Sequence, residues 1–246
     1  MTLDPFNAFV EHAPDAPTSS GSLTGITVGV KANIAVAGLH WTAGMALFRD
    51  RVASEDAEVV ARLRAAGASI TGILNMEEAA LGAKTDNPWF GATHNPHRMG
   101  HTPGGSSGGS GAAVAAKLCD AALGTDTMGS IRIPAAYCGI YGFKPAPGSV
   151  SQTGLELAEP GFDAIGPLAR SLDLLEKVAR VISDVGEAPA APGCATLADH
   201  GGVECEPAVL QGFGAARSAI GEIAHVTLPH PLSRVRYAGF IRTVRF

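Results

Sequence analysis

Residues 100–145 read GHTPGGSSGGSGAAVAAKLCDAALGTDTMGSIRIPAAYCGIYGFKP. Two glycine turns in this stretch carry serines, Ser106 in the first and Ser130 in the second, around a small-residue helix and one apparent strand. Each glycine loses more backbone freedom on folding than any other residue, so stability alone does not explain so many of them together. They make sense if backbone must approach a ligand closely, or if constrained turns must aim hydroxyls and N–H groups at one spot. The stretch reads as an active site.

Upstream, residues 26–30 (ITVGV) form a short apolar run ending at Lys31, which reads as a buried strand delivering a lysine. Ser54 is placed to cap a helix over 55–66, with Val59, Leu63 and Ala66 inward and a Glu58–Arg62 pair outside. Residues 69–74 (SITGIL) read as the next strand, giving the helix-then-strand rhythm of a layered α/β fold. The lead-in over 1–22 suggests one docked turn of helix at Phe6, Phe9 and Val10, and residues 77–83 suggest another short helix. Residues 110–118 read as a helix and 121–124 as a strand feeding the second serine turn.

Downstream, Ser171 caps an amphipathic helix to Ser183, with Leu175, Val178, Ala179 and Ile182 inward. Asp173–Lys177 and Glu176–Arg180 pair on its outer face. Residues 186–206 read as linker, 207–224 as a glycine-interrupted helix, 225–228 as a strand, and 233–246 as a helical pattern without a stop signal.

The totals narrow the function. In 246 residues, 46% are hydrophobic and 17% charged, against a usual charged share of about 25%, so a sizeable core is expected. Net charge is −5 with no basic run, which argues against a nucleic-acid partner. The acidic start lacks a signal-peptide pattern, and Lys117 breaks the longest small-apolar run, so neither export nor a membrane span is expected. Cys119, Cys138, Cys194 and Cys205 have no CxxC spacing and read as thiols of a cytoplasmic protein. His94, His97 and His101 cluster in a Pro/Gly loop without a further ligand at metal spacing, so no metal is expected.

Both phosphate-cradling fingerprints, GxxxxGK[ST] and GxGxxG after a strand, are absent. GxSxG occurs twice, centred on Ser106 and Ser107, but HRMGHTP precedes it where a nucleophile elbow needs a strand. No Ser-x-x-Lys occurs. Of the five lysines, Lys177 has its helix pair, Lys84 lies in a polar loop, Lys144 precedes a proline and Lys117 sits on a small-residue helix. Lys31 alone follows an apolar strand, where a charged amine is costly unless it has a task.

The combination VGVKANIAVAG (28–38), PGGSSGGSGAAVAA (103–116) and GTDTMGSIRIPAAYCGIYGFKP (124–145) resembles the amidase signature family, over about residues 3–182. The DPFNAFV opening and residues 161–170 look most like small-amide hydrolases of the indoleacetamide-hydrolase kind. The resemblance implies an α/β/α fold with a mixed central sheet and no cofactor. It also implies a lysine, a serine held by a cis peptide bond and a nucleophilic serine, which fall on Lys31, Ser106 (after Gly105) and Ser130. A small carboxamide would be cleaved to carboxylate and ammonia through an acyl-enzyme, with the N–H groups of Thr127, Met128, Gly129 and Ser130 as oxyanion hole. Lys31 must then be neutral, its pKa lowered by burial. Arg132 either pairs with Asp126 or faces an anionic substrate.

Three features depart from the family pattern. Ala32 stands where aspartate is usual after the lysine, and Met128 where the pattern has glycine. Members are also much longer, and their last part adds strands to the sheet and walls to the pocket. The chain is accordingly expected to be one C-terminally incomplete domain over 1–246, completed by a homodimer or a complementing C-terminal chain. Two rival readings are a degenerate, inactive member acting through a partner, and an esterase using Ser107 with His200, His225 or His230 as base.

Overall fold

The N-terminal segment is a strand, β1 (Phe9–His12), rather than the helical turn its Phe6, Phe9 and Val10 pattern suggests. In this computed structural model the described residues are 4–17, 19–184, 195–197, 204–221 and 224–227. The chain, read above as one domain, divides into two units, Met1–Val185 and Gly186–Phe246.

In the first unit β2 (Thr27–Lys31), α1 (Glu58–Ala65) and β3 (Ser69–Leu74) follow β1. A small hairpin, β4 (Asp86–Asn87) and β5 (Gly91–Ala92), precedes α2 (Gly108–Ala115), β6 (Ala121–Asp126) and α3 (Arg132–Tyr137). The edge strand β7 (Tyr141–Gly142), then β8 (Ala164–Ala169) and α4 (Leu172–Ile182), complete it. The main sheet has the order β1-β3-β2-β6-β8-β7. β3, β2 and β6 run parallel, while β1, β8 and β7 join antiparallel, so the sheet is mixed.

Period-2 alternation sorts the strand residues between two cores. Val28, Val30, Ile70, Leu123 and Ile165 join Leu63 of α1 and Val178 and Ile182 of α4 on one face. Leu74, Ala122 and Leu168 join Ala112, Ala113 and Val114 of α2 on the other. The architecture is α/β/α.

Several local expectations change. α1 starts three residues late, with Ala57 rather than Ser54 at its N-cap, while Asp56 accepts the Ala37 N–H (2.8 Å) and the Ala57 N–H donates to the Ala35 carbonyl. Its Glu58–Arg62 pair forms, and Val60 joins the buried stripe. The helix expected over 77–83 shrinks to a 3₁₀ turn, Glu78–Ala80, since Ala79 and Ala80 take positive φ. α4 keeps its expected cap and stripe, with Ser171 accepting from the Leu174 N–H and the Glu176–Arg180 pair formed, but the expected Asp173–Lys177 pair is not formed among the described residues. In the second unit, β9 (Ala195–Leu197) pairs in parallel with β10 (Ala224–Val226), and α5 (Pro207–Ile220) lies between them in sequence. The helical pattern over 233–246 lies outside the described residues.

The first turn of α2 rests directly on backbone. A Cβ at Gly109 would lie 2.4 Å from the Asn75 carbonyl oxygen and 2.6 Å from that of Ala8, neither of which can rotate away. Gly109→Ala should therefore lose about 3 kcal/mol or more of stability, the upper end for overpacking. Urea unfolding would measure it; a midpoint within error of the unmutated chain would refute the close-contact account.

Candidate active site

Three parallel strands, β2, β3 and β6, end at the same edge of the sheet, the place where open α/β sheets bind ligands. Lys31 is the last residue of β2 and alternation turns it to the face opposite Val28 and Val30, toward the loop that leads into α2. Its side chain is fully buried, and Nζ donates to Ser106 Oγ (2.7 Å) and Thr125 Oγ1 (2.7 Å). Burial pushes its pKa from 10.5 down to about 7, against the Asp163, Asp126 and Glu77 carboxylates, which favour the charged form. An amine poised there is half neutral near pH 7, which matches the sequence expectation of a lowered pKa.

Ser106 is fully buried and follows a cis Gly105–Ser106 peptide bond, as the resemblance implies. Thr85, which the sequence reading passed over, braces this turn. Its Oγ1 donates to the Gly104 carbonyl (2.9 Å) and accepts the Gly108 N–H (3.0 Å). Thr125 was missed as well, and Asn33 Nδ2 reaches its hydroxyl (3.2 Å) beside the lysine. The lone asparagine in the apolar stretch after Lys31 and the first threonine of GTDT are the sequence traces of that pair.

Ser130 lies in the loop after β6, partly exposed, and its carbonyl accepts the Ser107 N–H (3.2 Å). That bond sets the two serine turns side by side. The Ser130 hydroxyl makes no hydrogen bond among the described residues, so the structure joins Lys31 to Ser106 and leaves Ser130 Oγ free to rotate.

Asp126 shapes this loop from beneath. Fully buried, it accepts from the N–H groups of Gly129 (2.6 Å) and Ile131 (3.2 Å) and from two nitrogens of Arg132 (2.9 and 3.0 Å). Burial opposes its ionisation, but the Arg132 and backbone hydrogen bonds prevail and hold the carboxyl below its ordinary range. One sequence assignment changes in consequence, and an open alternative finds its partner. Gly129 leaves the expected oxyanion set, because its N–H is committed to Asp126. The Asp-to-i+3 spacing, common where an aspartate satisfies a turn or cap, was the available signal. Arg132 forms the structural pair with Asp126 through Nε and Nη2, the first of the two alternatives. Among the described residues the N–H groups of Thr127, Met128 and Ser130 have no protein acceptor. From the other side Asp163 accepts Thr127 Oγ1 (2.5 Å) and the N–H groups of Ala158 (2.7 Å) and Glu159 (3.0 Å).

Met128 fits its loop. The unusual dihedral falls on Gly129 (φ +143°), Met128 is not among the residues with positive φ, and its side chain is half exposed. Ala32 is buried in the core, its N–H donating to the Leu74 carbonyl and its carbonyl accepting the Ala43 N–H. Ser107 is fully buried, its hydroxyl bonded to the backbone N–H and C=O of Thr125 (both 3.2 Å), which suits a structural brace rather than an esterase nucleophile. His200 and His230 lie outside the described residues, and His225 is in the second unit. His97 is bonded to the Cys138 carbonyl (2.8 Å). Among the described residues no three His, Cys, Asp or Glu side chains form a metal cluster, and no helix is long and apolar enough to cross a membrane.

A family model described as Amidase matches residues 8–197. A glutamyl-tRNA(Gln) amidotransferase subunit of Natronomonas pharaonis is 48% identical over 181 residues, covering 74% of this chain and 43% of that protein. The solved glutamyl-tRNA(Gln) amidotransferase subunit of Thermotoga maritima superposes with a TM-score of 0.88 at 30% identity, covering 99% of this chain and 61% of that one. Native peptide amidase from Stenotrophomonas maltophilia superposes with a TM-score of 0.75 at 29% identity, over 91% and 54% of the two chains. The chain thus spans about half the length of the relatives it matches.

Proposed function

The chain belongs to the amidase family, and from that premise we propose that it hydrolyses a small carboxamide through an acyl-enzyme on Ser130. The observation that carries this reading is the 2.7 Å bond between a fully buried Lys31 and Ser106. A serine hydroxyl is a poor nucleophile at its own pKa and needs an adjacent base. In the proposed sequence Ser130 Oγ attacks the amide carbon while its proton passes to Ser106 Oγ. Ser106 gives its own proton to neutral Lys31. The oxygen charge that develops meets the N–H groups of Thr127, Met128 and Ser130, preorganised donors of the kind that supply a large part of acyl-transfer catalysis. Collapse breaks the C–N bond, and the proton held on Lys31 returns through Ser106 to the departing nitrogen, releasing ammonia. Water then repeats the attack on the ester and frees the carboxylate. Asp126 and Asp163, both hydrogen-bonded to the loop, hold its donors in register.

A second reading is favoured by the relatives at 43–48% identity, whose names describe amidotransferase subunits. In it the same acyl-enzyme forms, but the released ammonia serves a transfer reaction with a partner chain.

The test is intact-mass analysis after treatment with a fluorophosphonate, with peptide mapping, on size-resolved fractions. One adduct on Ser130 is expected. An adduct on Ser107 would transfer the reading to the esterase alternative, and no adduct in any fraction would refute the acyl-enzyme.

A further inference from the structure

Glu77 follows β3 and meets the Ser106 turn at several points. Its N–H donates to the Ser106 carbonyl (3.1 Å). Its Oε2 accepts the N–H groups of Lys84 (3.0 Å) and Thr85. Thr85 is fully buried with φ +58°, a conformation a threonine rarely takes without restraint. Held there, Thr85 grips the turn on both sides of Ser106, at the Gly104 carbonyl and the Gly108 N–H. One carboxylate therefore fastens the 84–85 segment and, through Thr85, the turn that presents the hydroxyl to Lys31.

The same carboxylate carries charge near the lysine. Against the larger effect of burial, three acidic groups favour the charged form of Lys31, in decreasing order Asp163, Asp126 and Glu77. Asp126 is balanced by Arg132, and Asp163 is engaged by Thr127 and two N–H groups. Glu77 has no ion pair among the described residues, and its side chain is held by backbone N–H groups alone. Its charge is therefore not cancelled locally.

We propose that Glu77 is a positioning residue: it holds the segment that fixes the Ser106 hydroxyl against Lys31, and its unpaired carboxylate adds to the charge facing the amine. This rests on the roles of Lys31 and Ser106 given under Proposed function. Glutamine at position 77 can still accept the two N–H bonds but carries no charge. Thr85→Val keeps the charge and cuts the link to the turn.

The experiment is the pH–rate profile of fluorophosphonate labelling from pH 5 to 9.5, for the unmutated chain, Glu77→Gln and Thr85→Val, with folding checked by thermal melts. The unmutated profile should rise through pH of about 7 and level off. In Glu77→Gln the inflection should move down by about half a unit, so that the rate at pH 6 relative to its own plateau rises about threefold. Thr85→Val should keep the inflection and lose about tenfold or more in plateau rate, because a displaced hydroxyl no longer meets its base. An unmoved inflection in folded Glu77→Gln, or an undiminished plateau in folded Thr85→Val, overturns the proposal. Should Glu77→Gln not fold, Thr85→Val decides alone. A flat profile in the unmutated chain would instead overturn the reading of Lys31 as the base, a separate and recognisable result.

Discussion

Ser130→Ala should leave the melting temperature unchanged and reduce amide hydrolysis by about 10⁴–10⁶-fold, the range seen when a serine nucleophile is removed. The fold should tolerate it because the Ser130 hydroxyl makes no hydrogen bond among the described residues. The contact that matters to the loop, Ser107 N–H to the Ser130 carbonyl, belongs to the backbone and survives. No neighbour can take over, since the Ser107 hydroxyl is buried and held by Thr125, and Ser106 is buried against Lys31. Whatever rate remains would come from the N–H groups of Thr127, Met128 and residue 130 polarising the carbonyl for water. Turnover of a small carboxamide, read beside a thermal melt, measures both parts. Activity above about 1% with Ser130 gone would move the nucleophile elsewhere.

Lys31→Met should slow acylation by about 10²–10⁴-fold, as expected for loss of a general base, and it should make the protein more stable near neutral pH. The amine's pKa is about 7 in the folded chain against 10.5 when exposed. Between those values the unfolded state binds a proton that the folded state does not, so the stability of the unmutated chain rises with pH across that window. Below about pH 7 the full penalty of burying the charge is present, roughly 4–5 kcal/mol from a shift of this size. Methionine removes that penalty and leaves Ser106 Oγ without its partner, an offset of about 1 kcal/mol. Thr125 retains its bond from Asn33. The stability difference between variant and unmutated chain should therefore be largest near pH 6 and shrink toward pH 10. A difference that does not change with pH would mean that Lys31 is not desolvated.

Much of this was open to reading along the chain, for local reasons. α4 announces itself through Ser171, its apolar spacing and its acidic first turn, all within one element. Lys31 is conspicuous because a charge at the end of TVGVK breaks an apolar run. The glycine turns show where backbone must come close, but not to what. The sheet's sixth strand, β8, went unread because AIGPLA carries Pro167 at its centre, a residue that ordinarily argues against an interior strand. β1 was hidden for a different reason: four residues with mixed exposure have no decisive period, and only pairing with β3 makes them a strand. The carboxylates were the largest omission. Nothing local separates Glu77 from Glu78, yet Glu77 reaches the Ser106 turn while Glu78 bonds Trp89 on the surface. Asp163 likewise acquires its place only when β8 lies against β6.

The clasp between β2 and β6 bears on how the site comes into being. At the foot of the two strands Asp120 accepts the Thr27 N–H (3.0 Å) and hydroxyl (2.7 Å), and its own N–H returns to Thr27, across a sequence separation of 93 residues. Pairing strands so far apart in sequence slows nucleation, although β3, nearer in sequence, also pairs with β2. Without β6 in place Lys31 lacks Thr125 Oγ1, one of its two hydrogen-bond partners. Only the docking of β6 brings Thr125 and closes the chamber around the amine. The surroundings that desolvate Lys31 thus depend on contacts far apart in the chain, and a partly folded chain lacks them.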